Sequence, residues 1–186
     1  RVRGLWIRLG LGDGLARCRG HAGGVSVTVR APADRLYGAV DALEAALGPD
    51  PVDEASLRRT LHAEANPALL AVLAATAGRA VFIDEDGLTA GLGQHAVTWP
   101  LTALPSAEQA RAAAVRIPFA LITGTNGKTT TTRLVAAMAR AAGFVEGHTS
   151  SDGVVVDGAW VEQGDWTGPG AARTVLRHPR VQVAVL

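Results

Sequence analysis

Apolar positions along the chain recur with two different periods, and the switches between them mark the elements. Val25, Val27 and Val29 alternate with Ser26, Thr28 and Arg30, which predicts a strand. Leu36, Val40, Leu43 and Leu47 then recur at helical spacing until Gly48-Pro49 stops the helix. A second helix is predicted after Asp53. A third has Asn66 as N-cap, Pro67 at its first position, Leu69, Leu70, Val72 and Leu73 as its apolar face and Gly78 at its end. Residues 81–83 and 88–90 read as strands joined by the Asp86-Gly87 turn. Residues 100–114 form an alanine-rich connector, helical around 107–115. The first thirty residues are rich in Gly and Arg. Gly10, Gly12 and Gly14 have the spacing of a dinucleotide loop but no strand-turn-helix around them, so the reading is a plain turn.

Beyond residue 115 the rhythm becomes strand, Gly-rich turn, helix. Residues 119–123 are a short apolar run of the buried-strand type. From Lys128 a helix is predicted with Leu134, Val135 and Met138 as its core stripe and Gly143 as its end. Residues 154–156 and 159–161, joined by Asp157-Gly158, read as a hairpin. Pro169 opens another helix, with Thr167 as N-cap, Ala172, Val175 and Leu176 on its buried side and His178-Pro179 as its stop; residues 181–186 form a last apolar strand. Strands separated by crossover-length helices imply parallel pairing. The predicted fold is therefore α/β, a mostly parallel sheet of P-loop type preceded by a small α+β region. The boundary is placed near residue 115, giving segments 1–115 and 116–186.

Composition narrows the function classes. Eighteen basic residues against seventeen acidic leave a net charge of +1, which removes the broad electrostatic argument for nucleic acid or a membrane surface as partner. With 48% hydrophobic and 19% charged residues, a folded core is expected. The single cysteine, Cys18, excludes a disulfide framework and a cysteine-rich zinc site, and the five histidines share no metal-ligand spacing. The longest mostly apolar run, 68–77, is too short to span a bilayer. No signal peptide is visible and the chain opens on Arg1 rather than Met, so the expectation is a cytoplasmic piece of a longer protein.

One detail points to chemistry. Seventeen of the eighteen basic residues are arginine, and the lone lysine, Lys128, stands between Gly127 and Thr129. A compact ammonium that approaches phosphate oxygens as a point charge is what a guanidinium does not supply. The surrounding stretch is ITGTNGKTTTTR, residues 122–133. Gly124 and Gly127 let the backbone curl into an anion nest, and the helix starting beside Lys128 aims its positive end at the same point. In phosphate loops generally the lysine reaches the terminal phosphates and the next hydroxyl, here Thr129, takes a place on magnesium. Ile122 stands where the general motif begins with glycine, but the flanking strand and helix supply the context. Of the following threonines, Thr131 and Thr132 read as structural, while Thr130 is open between phosphate binding and capping.

ThrGlyThrAsnGlyLysThrThr without a leading glycine resembles the phosphate loop of the Mur ligase family, whose central domains bind ATP. The likeness extends over residues 117–186: GHTSSDGVVVDG (147–158), GDWTGPGAARTVL (164–176) and VQVAVL (181–186) are similar, in order, to segments of the Mur-like half of cyanophycin synthetases. The resemblance implies ATP- and Mg²⁺-dependent joining of a carboxylate acceptor to an amino acid through an acyl phosphate. It places Gly124, Thr125, Asn126, Gly127, Lys128, Thr129 and Thr130 around the triphosphate, with Lys128 catalytic and Thr129 on the metal. It also makes Thr149, Ser150, Ser151 and Asp152 candidates for the acceptor-substrate cleft, against the alternative of a polar turn leading into the hairpin. Asp165 and Thr167 are weighed the same way, Thr167 with the N-cap as its alternative. Cyanophycin synthetases carry an ATP-grasp module ahead of this half. LTAGLGQH (88–95) resembles a segment near its start, but the spacing to the phosphate loop leaves no room for the module. Residues 116–186 are thus expected to be the start of a Mur-type central domain. The family's magnesium-binding glutamate and C-terminal domain would follow Leu186, so the chain alone is expected to be inactive. A P-loop kinase or NTPase of another class, and a non-catalytic nucleotide-binding module, are the competing readings.

Overall fold

The computed structural model describes residues 1–13, 16–84, 86–166 and 168–186. Gly14 and the N-cap expected at Thr167 lie outside the described residues. The chain forms two compact units, Arg1–Ala71 and Val72–Leu186.

In the first unit, helix α1 (Val2–Arg8) precedes a hairpin of β1 (Ala16–His21) and β2 (Gly24–Val29), followed by helices α2 (Leu36–Leu47) and α3 (Glu54–Glu64). Asp53 caps α3 by accepting the Ser56 N–H. Helix α4 (Pro67–Ala75) opens as predicted, with the Asn66 side chain accepting the Leu69 N–H at 3.0 Å, and the boundary between units falls inside it. Leu5, Trp6, Leu9 and Leu11 pack with Ala39, Ala42, Ala46 and Leu61 to form the core. The helix expected from Leu36, Val40 and Leu47 exists, but those residues are exposed and the buried face is Gly38, Ala39, Ala42 and Ala46. Small residues let α3 approach closely: Leu61 lies 2.8 Å from where a Cβ on Gly38 would stand.

The second unit contains a three-stranded antiparallel sheet, β3 (Val81–Asp84), β4 (Gly87–Ala90) and β5 (Val97–Trp99), and helix α5 (Ala107–Ala113), whose Ser106 and Gln109 form a capping box. It continues with β6 (Phe119–Ala120), α6 (Lys128–Ala141), β7 (Glu146–Ser150), β8 (Gly153–Val156), β9 (Ala159–Gln163), α7 (Pro169–Arg177) and β10 (Val183–Val185). The larger sheet has the order β6-β10-β7-β8-β9. β10 pairs in parallel with both β6 and β7, whereas β7-β8 and β8-β9 are antiparallel. The α/β class therefore holds, but the sheet is mixed rather than mostly parallel. The turns at 151–152 and 157–158 are hairpin turns, too short for a crossover.

Alternation along β7 puts α6 and α7 on opposite faces of this sheet. A Cβ on Gly147 would stand 2.7 Å from Val175 of α7, so only glycine fits beneath that helix. Its neighbour Glu146 faces the other way and accepts a 2.5 Å hydrogen bond from Arg140 of α6. Val154, Val156, Ala171, Val175, Val181 and Ala184 form the core, and each fully buried valine contributes about 1.5–3 kcal/mol. Two expectations fail here. Leu134 and Met138 do not form a core stripe: they are 56% and 60% exposed, and Thr132 and Ala136 make the buried face of α6. The run 119–123 is not a buried strand: β6 is two residues long, with Phe119 half exposed and Leu121 70% exposed. In both helices bulky residues mark the period correctly but point outward, because the short side chains are what the close contact selects.

Residues on both sides of 115 are held together within the second unit. Leu92 N–H donates to Val115 O and Gln94 N–H to Val181 O, and the β3–β4 hairpin is tied to α7 by ion pairs. Arg177 donates to Asp84 at 2.6 Å and Asp86 at 2.7 Å with its guanidinium over the Phe82 ring, and Arg173 reaches Asp84 at 3.3 Å. Burial pushes the Asp84 carboxyl up, but the hydrogen bonds from Arg177 and from the Asp86 N–H outweigh it and hold the group below its ordinary value of 3.8. A lowered folded-state value means stability that is present above the ordinary value and lost as pH falls through the folded one. Asp84→Asn is expected to cost about 2 kcal/mol at neutral pH and to flatten the acid limb of the stability curve. Urea unfolding of both proteins across the acid range checks it; an unchanged acid limb refutes the pairing.

Candidate functional site

Parallel pairing of β6, β10 and β7 brings their carboxyl ends to one edge of the sheet, where open α/β sheets bind ligands. The pairing runs past the strands themselves: Leu186 N–H donates to Ala120 O at 2.8 Å and Ile122 N–H to Leu186 O at 2.6 Å. The chain leaving β6 therefore starts its loop beside Leu186 and turns into α6.

The loop turns at Gly127, which caps α6 with φ +79°, a left-handed conformation that strains any residue with a Cβ. Thr131 N–H is the donor that closes the first helical turn, onto Gly127 O at 2.9 Å. The amides before it, from Lys128 to Thr130, have no carbonyl one turn back in a helix and are left for a ligand or water. Lys128 curls over the loop: its Nζ donates to Gly124 O at 2.6 Å and lies 3.4 Å from Thr125 O. Among the described residues the ammonium is held by carbonyl dipoles, which an anion would outcompete.

A cavity of about 440 Å³ opens at this helix end. The loop contributes Thr125, Asn126, Gly127, Lys128, Thr129 and Thr130; Thr149, Ser150 and Ser151 face them from the end of β7 and its turn; Ile122, Thr132 and Leu186 complete the lining. No Asp or Glu side chain lines it among the described residues, while Lys128 and the positive end of α6 face it. Thr129 and Ser151 hydroxyl oxygens lie 3.2 Å apart. Gly124 is outside the lining but holds the lysine.

Asp152 is outside the lining as well. Arg133, one turn after Thr129 on α6, donates to its carboxylate at 2.6 Å, and Ser150 Oγ accepts the Asp152 N–H at 3.2 Å. The 149–152 stretch is thus half strand, Thr149 and Ser150 being buried in β7, and half a turn pinned to α6. Asp165 is exposed and absent from the cavity wall, although its neighbour Trp166 donates its N–H to Ser150 O. Sequence reasoning missed Ile122, Thr132 and Leu186 as lining residues and Arg133 as the partner of Asp152. The spacing of Thr129 and Arg133 was the available signal for the last, because residues four apart share a helix face. Among the described residues no group of His, Cys, Asp and Glu could by itself hold a metal ion, and no helix is long and apolar enough to cross a membrane.

With the geometry in place, the comparisons fall on the same stretch. Residues 122–165 match the Mur ligase middle domain. Over 71 residues, 38% of this chain and 8% of each relative, the chain is 56% identical to the cyanophycin synthetases of Geminocystis herdmanii (strain PCC 6308) and Crocosphaera subtropica (strain ATCC 51142 / BH68). It is 54% identical over the same length to that of Synechocystis sp. (strain ATCC 27184 / PCC 6803 / Kazusa). The resemblance to the Mur ligase family read from the motifs is borne out for this stretch. The matched stretch is about 8% of the length of these curated relatives.

Proposed function

We propose that residues 116–186 supply the polyphosphate-binding start of an ATP-dependent carboxylate–amine ligase of Mur type, acting in the cytoplasm. The observation that carries this reading is the cavity at the start of α6, lined by no Asp or Glu side chain among the described residues, with Lys128 folded into the loop beneath it. The similarity of the same residues to cyanophycin synthetases and to the Mur ligase middle domain supports the choice of ligase over kinase.

In this reading β6, β10 and β7 are the parallel core of a P-loop-type sheet, and the loop from Gly124 to Thr130 wraps the triphosphate. First-turn amides of α6 hold phosphate oxygens, and Lys128 leaves Gly124 O for the terminal phosphates, where it neutralises charge that develops during transfer. The acceptor carboxylate takes the terminal phosphoryl group, ADP departs, and the amino acid's amine attacks the acyl phosphate to form the amide and release phosphate. Thr149 and Ser150 face the loop across the cavity and orient the acceptor, while Asp152, pinned by Arg133, fixes their turn. Magnesium takes hard oxygen ligands, and the Thr129 hydroxyl, with Ser151 beside it, is the oxygen this chain offers. When bound, the ion supplies charge neutralisation across the phosphates.

Phosphate release by the protein carrying this chain, with ATP, magnesium and a panel of amino acids and carboxylate acceptors, tests the proposal. Release stimulated by one amino acid together with its acceptor is expected. Release indifferent to every amino acid contradicts the ligase reading.

A further inference from the structure

The first unit holds a second depression, of about 440 Å³, whose lining is basic around an apolar floor. Leu9 and Leu61, both buried core residues, form the floor. Arg58, Arg59 and His62 stand over it from one face of α3, since residues three and four apart share a helix face, and Arg35 closes it from the N-terminus of α2. The acids nearby are engaged, Asp34 with Arg35 itself, although Asp34 Oδ1 is buried without a hydrogen-bond partner. Glu64 accepts the Gly38 N–H with both oxygens, at 2.8 and 3.0 Å. Glu54 takes Arg8 at 2.6 Å and only grazes Arg58 at 4.0 Å. Asp34 is fully buried, and its Oδ2 accepts the Asn66 N–H at 2.9 Å.

One guanidinium is left without a counter-charge among the described residues, and a second, paired with Asp34, keeps one N–H without a hydrogen bond. Arg59 makes no ion pair with any described residue. Arg35 Nε is buried without a hydrogen-bond partner, its approach to Asp34 Oδ2 being 3.8 Å. Arg35 and Arg58 have carboxylate partners while the Arg59 charge beside them has none among the described residues, and a buried N–H without an acceptor costs its full desolvation. Forked guanidiniums match the geometry of carboxylate and phosphate oxygens.

We infer that this depression is an anion-binding site for a small ligand presenting a carboxylate or phosphate group on an apolar stem, separate from the phosphate loop. Arg59 and Arg35 grip the anionic group, His62 and Arg58 flank it, and the stem lies on Leu9 and Leu61.

The test uses the whole chain carrying Lys128→Gln, so that the phosphate loop does not compete. Inorganic phosphate and butyrate are titrated separately, following the Nε–H signals of the arginines and the His62 ring by NMR. Saturable shifts of Arg35 and Arg59 with either anion are expected, with the affinity lowered about tenfold by Arg59→Gln and partly restored by Arg59→Lys. The stronger of the two titrations identifies the anionic group. Arg59 is exposed and unpaired, so its variants are expected to keep the parent's thermal midpoint. Absence of saturable shifts with both anions, or equal affinity in Arg59→Gln, overturns the site. Either result leaves the ligase proposal, which rests on the other unit, where it stood.

Discussion

Replacing Lys128 by alanine is expected to lower ATP-dependent turnover of the protein carrying this chain by about 10²–10³-fold, the loss typical of removing one donor that stabilises developing charge. Among the described residues its ammonium makes hydrogen bonds only to loop carbonyls, Gly124 O and Thr125 O, so its removal leaves no buried partner stranded and the fold is expected to survive. Nucleotide affinity is expected to fall with turnover, because in the proposed function the same group faces the phosphates. Lys128→Arg is the sharper variant. A guanidinium is wider and presents a planar fork where the loop has shaped a space for a point charge, so it is expected to restore little activity. A chain that writes every other positive charge as arginine would have no cause to keep a lysine here if arginine served. Steady-state phosphate release and nucleotide titration of the three proteins measure this. Full activity in Lys128→Arg would show that the loop needs charge and not this ammonium.

The second large effect concerns stability. Glu146 is completely buried on the α6 face of the sheet, where Arg140 and the Gly158 N–H donate to one carboxylate oxygen at 2.5 and 3.1 Å and His148 Nδ1 lies 3.3 Å from the other. Arg140→Ala removes a side chain that is 44% exposed and leaves a carboxylate that is not exposed at all. Breaking a buried pair from one side costs about 3–5 kcal/mol, and the half-exposed guanidinium brings the expectation to about 3 kcal/mol. The double variant Arg140→Ala, Glu146→Gln is expected to be more stable than Arg140→Ala alone by about 1 kcal/mol, since a neutral amide tolerates burial that a charge does not. Urea denaturation at neutral pH reads both. Equal stability of the single and double variants would mean that the buried charge is compensated by another group.

How much of this was legible in the sequence depends on what each signal encodes. A cap was read correctly where a side chain has a specific backbone partner, Asn66 with the Leu69 N–H, while Asp53, read only as the residue before a helix, caps that helix through the Ser56 N–H. The loop was legible because its constraints are local, a glycine in left-handed geometry followed at once by the lysine. The faces of α2 and α6 were not. Period gives the spacing of a stripe, but which stripe is buried depends on how closely the packing partner, helix α3 for α2 and the sheet for α6, approaches. On Ala136 and Thr132, as on Ala39 and Ala42, close approach wins over side-chain bulk. The mixed sheet was half visible: the hairpin at Asp157-Gly158 was read, while the antiparallel return of β8 onto β7 needed the Ser151-Asp152 turn to be recognised as tight. Long-range pairs were out of reach. Nothing in the spacing of Asp84 and Arg177 says that they meet, yet their contact helps assign the β3–β4 hairpin to the second unit. The same holds for Leu186 and Ile122, which complete the cavity only once β6 and β10 lie side by side.

The most direct measurement is a crystal structure of the protein carrying this chain, grown with magnesium and a non-hydrolysable ATP analogue. The triphosphate is expected in the cavity at the start of α6, with the Lys128 ammonium moved from Gly124 O onto the terminal phosphate oxygens and the Thr129 hydroxyl on the metal. Nucleotide bound at another place, with Lys128 still seated on the loop carbonyls, would contradict the proposed function.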